Sequence, residues 1–154
     1  MTITIAPESP LSPDLDLLFG RHVAAMHADT PPESIHMLPR ADLAREGIDF
    51  LVMRDGTEPV GMGAVKRIGP DHGEIKSMHV LAERRGEGLA QRMLDALVAQ
   101  AGARGLARLS LETGAQDSFA AARALYARAG FAECGPFEGY GPDPNSVFMT
   151  RALL

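Results

Sequence analysis

The amino-acid sequence of this protein lacks tryptophan, and aromatic residues make up only 5% of its 154 positions. Hydrophobic residues still account for 45% of the chain, so we expect a core built mainly from Leu, Val, Ala, Ile and Met. There is a single cysteine, Cys134, which excludes an internal disulfide and offers no cluster of metal ligands. Because His22, His27 and His72 also lack the spacing of metal ligands, we predict no metal site.

Positive charge is also scarce, since 15 Lys and Arg residues face 20 Asp and Glu residues and leave a net charge of −5. This balance argues against nucleic acid or an anionic membrane as the main partner. No apolar run approaches the roughly 18 residues of a membrane-spanning helix, and the N-terminal stretch lacks the basic and apolar segments of a signal peptide. We therefore expect one domain over residues 1–154, located in the cytoplasm, without nucleic-acid or membrane partners.

The most informative stretch is a glycine-rich loop between a predicted strand and a predicted helix. Polar and apolar residues alternate over residues 74–81, which predicts a strand, and apolar residues repeat at helical spacing from residue 88 to about 101. Between these segments lie Gly86 and Gly88, which can adopt φ > 0 and leave space for a ligand. The unpaired amides at the start of the following helix favour an anion. We predict a phosphate-binding loop; the alternative is that the glycines only cap an ordinary helix.

Two nucleotide-binding motifs can be compared with this loop. A P-loop requires a lysine directly after its last glycine, and Leu89 follows Gly88 instead. A dinucleotide-binding loop requires a third glycine, but Gln91 occupies that position. Glu112 lies where an acidic ribose ligand could stand, yet only one βαβ unit fits the chain. The sequence therefore disfavours both nucleotide motifs.

The loop residues Arg85-Gly86-x-Gly88-Leu89-Ala90 resemble the R/Q-x-x-G-x-G/A signature of the GNAT N-acetyltransferases. A second segment, residues 122–131, is similar to the A-x-x-L-Y-x-x-x-G-F segment of the same family. The resemblance covers roughly residues 48–151 and implies acetyl-CoA as co-substrate, with its pyrophosphate bound by main-chain amides of the loop. The chain departs from the family at Phe119, where many members carry asparagine.

The resemblance also implies which residues contact acetyl-CoA. Main-chain groups of the strand before the loop hold the acetyl and pantetheine part, the loop and helix start hold the pyrophosphate, and a tyrosine of the second segment lies at the sulfur. The implied cofactor-binding residues are Met78, His79, Val80, Arg84, Arg85, Gly86, Glu87, Gly88, Leu89, Ala90 and Tyr126.

Transfer of an acetyl group to an amine requires a general base, a donor to the carbonyl oxygen and a general acid. The resemblance implies Glu74 as the base, on the strand four residues before Met78, and Tyr126 as the acid that protonates the sulfur. The alternatives are a solvated edge residue for Glu74 and a core residue for Tyr126. Alternation predicts two faces for this strand, one with Glu74, Lys76, Met78 and Val80 and the other with Ile75, Ser77 and His79.

Residues 137–149 resemble the C-terminal segment of a bacterial, YsnE-like subgroup of these acetyltransferases. The candidate substrate-binding residues are His36, Lys76 and Tyr140. Lys76 and His36 favour an acceptor that also carries a carboxylate, such as an amino acid, although each can also be an ordinary surface or packing residue. The predicted function is acetyl-CoA-dependent N-acetylation of a small-molecule amine. The alternatives are a non-catalytic acyl-CoA-binding module and an acetyltransferase for protein N-termini or lysines; a homodimer is a further expectation from the resemblance.

The order of secondary-structure elements follows from alternation, helical spacing and turn residues. We predict strands at 2–6, 50–54, 60–67, 74–81, 108–112, from 131 and at 146–151, and helices from Ser12 to about 30 and at 40–46, 88–101 and 116–129. An irregular loop rich in Gly and Pro, residues 135–145, joins the last two strands. With the resemblance, this order implies an α/β (α+β) domain of the GNAT acyl-CoA N-acyltransferase fold, with a mixed sheet of about six or seven strands flanked by about four helices.

Overall fold

The computed structural model describes residues 2–153, whose seven strands form one mixed sheet. The strands are β1 (Ile3–Pro7), β2 (Ile48–Asp55), β3 (Glu58–Arg67), β4 (His72–Val80), β5 (Arg108–Gly114), β6 (Ala132–Cys134) and β7 (Ser146–Ala152). They lie in the order β1-β2-β3-β4-β5-β7-β6, and all neighbours are antiparallel except the parallel pair β4 and β5. The predicted mixed sheet is confirmed.

Three α-helices accompany the sheet in the described residues: α1 (Asp16–Asp29), α2 (Leu89–Ala103) and α3 (Ala120–Arg128). The prediction of about four helices differs at residues 40–46, where the chain forms only a 3-10 turn at Arg40–Ala44. Proline and glycine bound this segment, and so short a stretch cannot offset the cost of starting an α-helix. Two further differences from the prediction lie at helix starts. The helices predicted from Ser12 and from residue 116 begin as 3-10 turns, at Pro13–Leu15 and Asp117–Phe119, and α1 and α3 follow these turns.

The helices α1 and α2 cover opposite faces of the sheet. On one face, the Phe19 ring of α1 stacks on Phe50 of β2, with 5.8 Å between the ring centroids. On the other face, a Cβ atom added to Gly63 of β3 would lie 2.8 Å from the Leu97 side chain of α2. Such close packing requires glycine at this position of β3. The buried face of α2 consists of Leu89, Met93, Leu94, Leu97 and Ala101.

A β-bulge in β4 changes which side chains share a face of the sheet. The register of β4 with β3 shifts by one residue between Lys76 and His79, and Ser77 lies at the shift with a φ of 54°. One extra residue exchanges the two faces of a strand. His79 therefore lies on the face of Glu74 and Lys76, while Val80 lies on the other, so the predicted alternation is wrong beyond Ser77.

The parallel strands β4 and β5 separate soon after they meet. They pair only along His72–Glu74 and Arg108–Ser110, although β4 continues to Val80 and β5 continues to Gly114. Beyond the paired residues, main-chain N–H and C=O groups on the two facing edges have no strand partner across the gap. The sheet therefore opens in its middle, next to the start of α2.

The described part of the chain contains neither a candidate membrane-spanning helix nor a candidate metal site. None of the helices within residues 2–153 is long and apolar enough to cross a bilayer. Over the same residues, no three or more His, Cys, Asp or Glu side chains are grouped so that they could hold a metal ion.

Candidate active site

The gap between β4 and β5 forms a cleft with a cavity volume of about 150 Å³. Its floor is the sheet, and its walls come from α1, α3 and two loops, residues 31–39 and 135–145, which we call the cleft loops. Apolar side chains, among them Met26, Met37 and Phe119, form much of the wall. The polar side chains with acid, base or donor chemistry that line this cavity are His22, His36, Glu74, Lys76, Ser77, Glu112, Thr113, Tyr126 and Tyr140.

Glu74 is deeply buried at the base of the cleft, with 2% of its surface exposed. Its carboxylate accepts a hydrogen bond of 2.5 Å from the Tyr140 hydroxyl and lies 3.2 Å from the Lys76 ammonium. Lys76 also donates to the Tyr140 hydroxyl at 2.7 Å and to the main-chain oxygen of His36 at 2.9 Å. The ammonium thus makes two hydrogen bonds to protein oxygens and an ion pair with Glu74. This pairing compensates the cost of burying both charges.

The hydroxyl of Tyr140 keeps its proton at this position. Burial is the main cause that raises the pKa of Tyr140 well above its usual range, and the hydrogen bond to Glu74 adds to the shift. The Tyr140 ring also meets the His36 ring edge to face, with 5.0 Å between the centroids, and Phe137 and Phe148 support it from behind. The cleft loops therefore fix this hydroxyl directly above the buried carboxylate.

Glu112 of β5 is a further candidate, which the sequence suggests only as a ribose ligand. It lines the cleft, and burial raises its pKa to about 7, with the charges of Glu74 and Asp143 adding to the shift. A carboxyl group with this pKa can take up or release a proton near neutral pH. The signal in the sequence was alternation over residues 108–112, which places Glu112 on the face of Ser110.

Tyr126 of α3 lies half-buried in the cleft wall. Burial raises the pKa of Tyr126 to about 12, and the charge of Glu112 contributes. Within residues 2–153 the hydroxyl makes no hydrogen bond, so its proton is free for a ligand. The hydroxyl can therefore donate a hydrogen bond to a molecule bound in the cleft.

Two histidines meet at the α1 side of the cleft. The rings of His22 and His79 are 5.4 Å apart between centroids. Burial lowers the pKa of His22 to about 4, with the nearby His79 contributing, and burial also lowers the pKa of His79, with Arg85 and Arg21 contributing. Both rings are therefore neutral at pH 7, and neither adds positive charge to the cleft.

The glycine-rich loop before α2 has an open main chain. Gly86 and Gly88 have φ angles of 83° and 76°, and a Cβ atom added at either position would meet no neighbour within 4 Å. Gly88 is the N-cap of α2, and no side chain caps the helix there. The amides of the first turn of α2 thus border open space, which suits an anionic ligand.

The two arginines of this loop have different surroundings. Arg84 pairs with the carboxylates of Asp55 and Glu87, at 3.0 Å in each case. Arg85 is exposed, and among residues 2–153 its guanidinium has no hydrogen-bond or ion-pair partner. Arg85 is therefore the cation of this loop that can pair with a phosphate without first leaving a carboxylate.

The cleft brings together many, though not all, of the residues selected from the sequence. His36, Glu74, Lys76, Met78, Tyr126 and Tyr140 line one cavity. The loop from Arg84 to Ala90 lies outside the cavity lining, at the start of α2, and Val80 faces the other side of the sheet. Their roles toward substrate and acetyl-CoA remain predictions.

Sequence comparison identifies relatives over most of the chain. The profile of the Acetyltransferase (GNAT) family matches residues 20–131. The uncharacterised N-acetyltransferase YsnE of Bacillus subtilis (strain 168) is 46% identical over 136 residues, which cover 88% of this chain and 90% of YsnE. An IAA acetyltransferase of Azospirillum brasilense is 40% identical over 155 aligned positions and covers 98% of both chains.

Solved structures share the fold and point to the same family. A Klebsiella pneumoniae protein, assigned as an acyl-CoA N-acyltransferase, superposes with a TM-score of 0.81 and 31% identity over 99% of both chains. An aminoglycoside 6'-N-acetyltransferase in complex with coenzyme A, at 15% identity and a TM-score of 0.73 over 98% of this chain and 97% of its own, shows the common fold alone. The family profile and the identities show that this chain belongs to the acetyltransferase (GNAT) family, in its YsnE-like subgroup, and is an acyl-CoA-dependent N-acetyltransferase.

Proposed function

We propose that this enzyme transfers the acetyl group of acetyl-CoA to the amine of a small molecule. The observation that carries the proposal is the cleft between β4 and β5, whose cavity of about 150 Å³ is bordered by the cleft loops and contains acid and base groups. A cavity of this size suits a small acceptor better than an extended polypeptide. The net charge of −5 also disfavours acceptors that are carried on nucleic acid.

The residues present fit acetyl-CoA at two places. The open main chain at Gly86 and Gly88 and the uncapped start of α2 would hold the pyrophosphate, with Arg85 as a nearby cation. The unpaired edge of β4 around Met78 would hold the pantetheine arm by main-chain hydrogen bonds. Acetyl-CoA would supply the acetyl group as a reactive thioester, and Tyr126 would donate its hydroxyl proton to the leaving sulfur.

Glu74 is the proposed proton acceptor, and Tyr140 connects it to the acceptor amine. The Tyr140 hydroxyl gives its proton to Glu74 across 2.5 Å and takes one from the ammonium of the substrate, so the net transfer is from the amine to Glu74. The neutral nitrogen then bonds to the acetyl carbon as the carbon–sulfur bond breaks. The proton that the nitrogen loses in forming the amide restores the Tyr126 hydroxyl.

Glu112 is the competing proton acceptor. It lines the same cavity and forms no ion pair with any residue in the range 2–153, unlike Glu74. With its pKa raised by burial to about 7, it would accept a proton directly, without a connecting hydroxyl. If Glu112 is the base, the rate should rise with pH around pH 7, and Glu112→Gln should remove this rise.

The acceptor is expected to have an apolar body. Met26, Met37 and Met78 line the cleft. The Lys76 ammonium already contacts three protein atoms, two through hydrogen bonds and one in the ion pair with Glu74. A carboxylate on the acceptor would therefore have to displace one of these atoms from Lys76. Amino acids remain candidates, and because one relative is named an IAA acetyltransferase, IAA belongs among the compounds to test.

The test is release of free thiol from acetyl-CoA by the purified protein with a fixed set of acceptors. The set contains benzylamine, putrescine, L-phenylalanine, L-glutamate, IAA and a hexapeptide with a free N-terminus. We expect turnover above the rate without acceptor for at least one of the small compounds, and the acetylated product by mass spectrometry. Turnover with the hexapeptide alone would contradict the proposal.

Variants then separate the two carboxylates. If Glu74 is the base, Glu74→Gln should lower kcat by about 100-fold or more and leave the Kd for CoA unchanged. Glu112→Gln should then have the smaller effect. The reverse order, together with loss of the rise in rate near pH 7 in Glu112→Gln, would assign the base to Glu112. Glu133→Gln, on the exposed surface of β6, is the matched control.

A further inference from the structure

The cleft loops are joined by a polar network that has no part in the proton transfers described above. The Ser34 hydroxyl, 2% exposed, donates to one carboxylate oxygen of Asp143 at 2.6 Å. The other oxygen of Asp143 accepts the main-chain N–H of Asn145 at 2.8 Å. The Asn145 amide donates to Ser34 at 3.4 Å and accepts from Gln116 at 3.1 Å. The network thus connects both cleft loops to the segment between β5 and α3.

The network lies next to the two loop residues that contact the buried charges. His36, whose main-chain oxygen accepts from Lys76, is two residues after Ser34. Tyr140, whose hydroxyl donates to Glu74, is three residues before Asp143. Residues 135–145 contain no helix or strand, so few main-chain hydrogen bonds hold this loop in place. Side-chain contacts must therefore fix its position over the cleft.

We infer that Ser34, Asp143 and Asn145 form a latch that positions the Tyr140 hydroxyl on Glu74 and so shapes the acceptor side of the cleft. Asp143 is suited to this role at neutral pH, because the hydrogen bonds from Ser34 and Asn145 lower its pKa and keep it an acceptor. The three residues act through Tyr140 and are positioning residues. The inference rests on the proposed function for its kinetic consequence, but its structural consequence can be measured without any acceptor.

The structural consequence is measured by tyrosine fluorescence. The chain has two tyrosines and no tryptophan, so Tyr126→Phe leaves Tyr140 as the single emitting residue. A hydrogen bond to a carboxylate quenches tyrosine emission, and Tyr140 makes such a bond to Glu74. In this background, Asp143→Ala and Ser34→Ala should each increase the emission. Glu138→Gln, an exposed charge removal in the same loop, should leave it unchanged.

The kinetic consequence is measured with the small amine that shows the highest turnover in the acceptor set. With Tyr126 present, Asp143→Ala should raise the acceptor KM about tenfold or more and leave the acetyl-CoA KM within twofold, as expected for a lost charged hydrogen bond at the acceptor side alone. Asp143→Asn keeps one oxygen acceptor and should restore part of the loss. Ser34→Ala combined with Asp143→Ala should be no worse than either alone.

The outcomes separate the latch from the proposed function. Unchanged emission in Asp143→Ala and Ser34→Ala would overturn the latch, as would equal increases in the KM values of both substrates. Emission that rises only in proportion to loss of the thermal unfolding transition would also overturn it, since that indicates general destabilisation. If no amine is acetylated by the unmodified enzyme, the proposed function fails, while the emission of the variants still decides whether the latch positions Tyr140.

Discussion

The glycine-rich loop before α2 and the cleft loops are the proposed donor and acceptor regions, but they are built differently. The first depends on backbone geometry, because Gly86 and Gly88 have positive φ and no side chain caps the helix that follows. The second depends on side chains, because the hydrogen bond from Ser34 to Asp143 joins positions 109 residues apart. A short motif can therefore predict the first region, whereas no local pattern can predict the second.

The difference fits the two ligands that an N-acetyltransferase must bind. The pyrophosphate is the same in every acyl-CoA, and main-chain amides at a helix start recognise it without any particular side chain. An acceptor has to be recognised by its own shape and charges, which requires specific side chains, and Tyr140 is the proposed one. Changes in the first region should accordingly affect only the donor, and changes in the second only the acceptor.

The largest effect is expected from a change to the backbone at the loop. Gly88→Ala places a Cβ atom on a residue with a φ of 76°, and relief of this strain should turn amides away from the pyrophosphate. We expect the Kd for CoA, measured by calorimetry, to rise about 100-fold, as for the loss of one or two charge-assisted hydrogen bonds. Gly102→Ala, near the other end of the same helix with an ordinary φ, should bind CoA normally. Normal binding by Gly88→Ala would show that the loop does not hold the cofactor.

The same substitution, tyrosine to phenylalanine, compares the donor and acceptor sides of the site. Tyr126 of α3 is the proposed proton donor to the sulfur of acetyl-CoA, and Tyr140 lies on the acceptor side. Tyr126→Phe should lower kcat by about 10- to 100-fold and leave both KM values unchanged, because it removes a proton donor without altering binding. Tyr140→Phe should also lower kcat, because it removes the hydroxyl that carries the proton to Glu74. In addition it should raise the acceptor KM and reduce stability by about 1–2 kcal/mol, since Glu74 loses a buried hydrogen bond. Steady-state kinetics and thermal melting of both variants test this. Identical behaviour would remove the distinction between donor and acceptor regions.

The sequence predicts much of the fold because most of its signals are local. Alternation and turn residues together predict all seven strands, and the glycines predict the turn into α2 with the positive φ angles that the structure has. The faces of β4 beyond Ser77 could not be predicted, because the bulge depends on how β4 pairs with β3. The prediction of a fourth helix was wrong for a local reason: the short segment 40–46, bounded by proline and glycine, forms only a 3-10 turn, although its composition permits a helix.

The candidate site is less predictable, because its parts meet only in three dimensions. Glu74, Lys76 and Tyr140 could each be selected from the sequence. The contact of the Tyr140 hydroxyl with both charged groups could not be predicted, because residues 135–145 form no helix or strand that would fix their position. The residues next to Glu112 in the sequence form no motif that would indicate a proton acceptor. The pKa shift of Glu112 arises from burial where β5 leaves β4, and the point at which two strands separate leaves no local pattern.

A smaller effect is expected at Glu112, which lies on β5 between the two regions. Burial raises its pKa from 4.5 to about 7, so the folded protein binds this proton more tightly than the unfolded chain does. The contribution of Glu112 to the free energy of unfolding is thus greatest below pH 4.5 and declines as the pH rises to 7. Glu112→Gln removes this decline. Relative to the unmodified protein, the variant should gain about 1–2 kcal/mol at pH 8, and the gain should shrink toward pH 5.

Denaturant unfolding at several pH values measures this gain. Glu133→Gln, on the exposed surface of β6, is the control, and its stability relative to the unmodified protein should not follow the same pH dependence. A gain for Glu112→Gln that is constant between pH 5 and pH 8 would show that Glu112 is not titrating in the folded protein. Glu112 would then no longer be a candidate for the proton acceptor, and Glu74 would be the remaining candidate on the cleft floor.

The smallest effect is expected at the contact of His22 with His79, which joins α1 to the bulged end of β4. Burial lowers the pKa of His22 from 6.5 to about 4, so the unfolded chain binds this proton more tightly than the folded protein does. The contribution of His22 to stability is therefore complete above pH 6.5 and is lost as the pH falls toward 4. We expect His22→Gln to reduce the loss of stability on acidification by about 1 kcal/mol, and His27→Gln, exposed on the same helix, to leave it unchanged. Because both rings are neutral at pH 7, His22→Gln should leave the Kd for CoA unchanged at that pH. A large change in this Kd would mean that the contact of His22 with His79 couples the donor region to the acceptor region, so that the two regions are not independent.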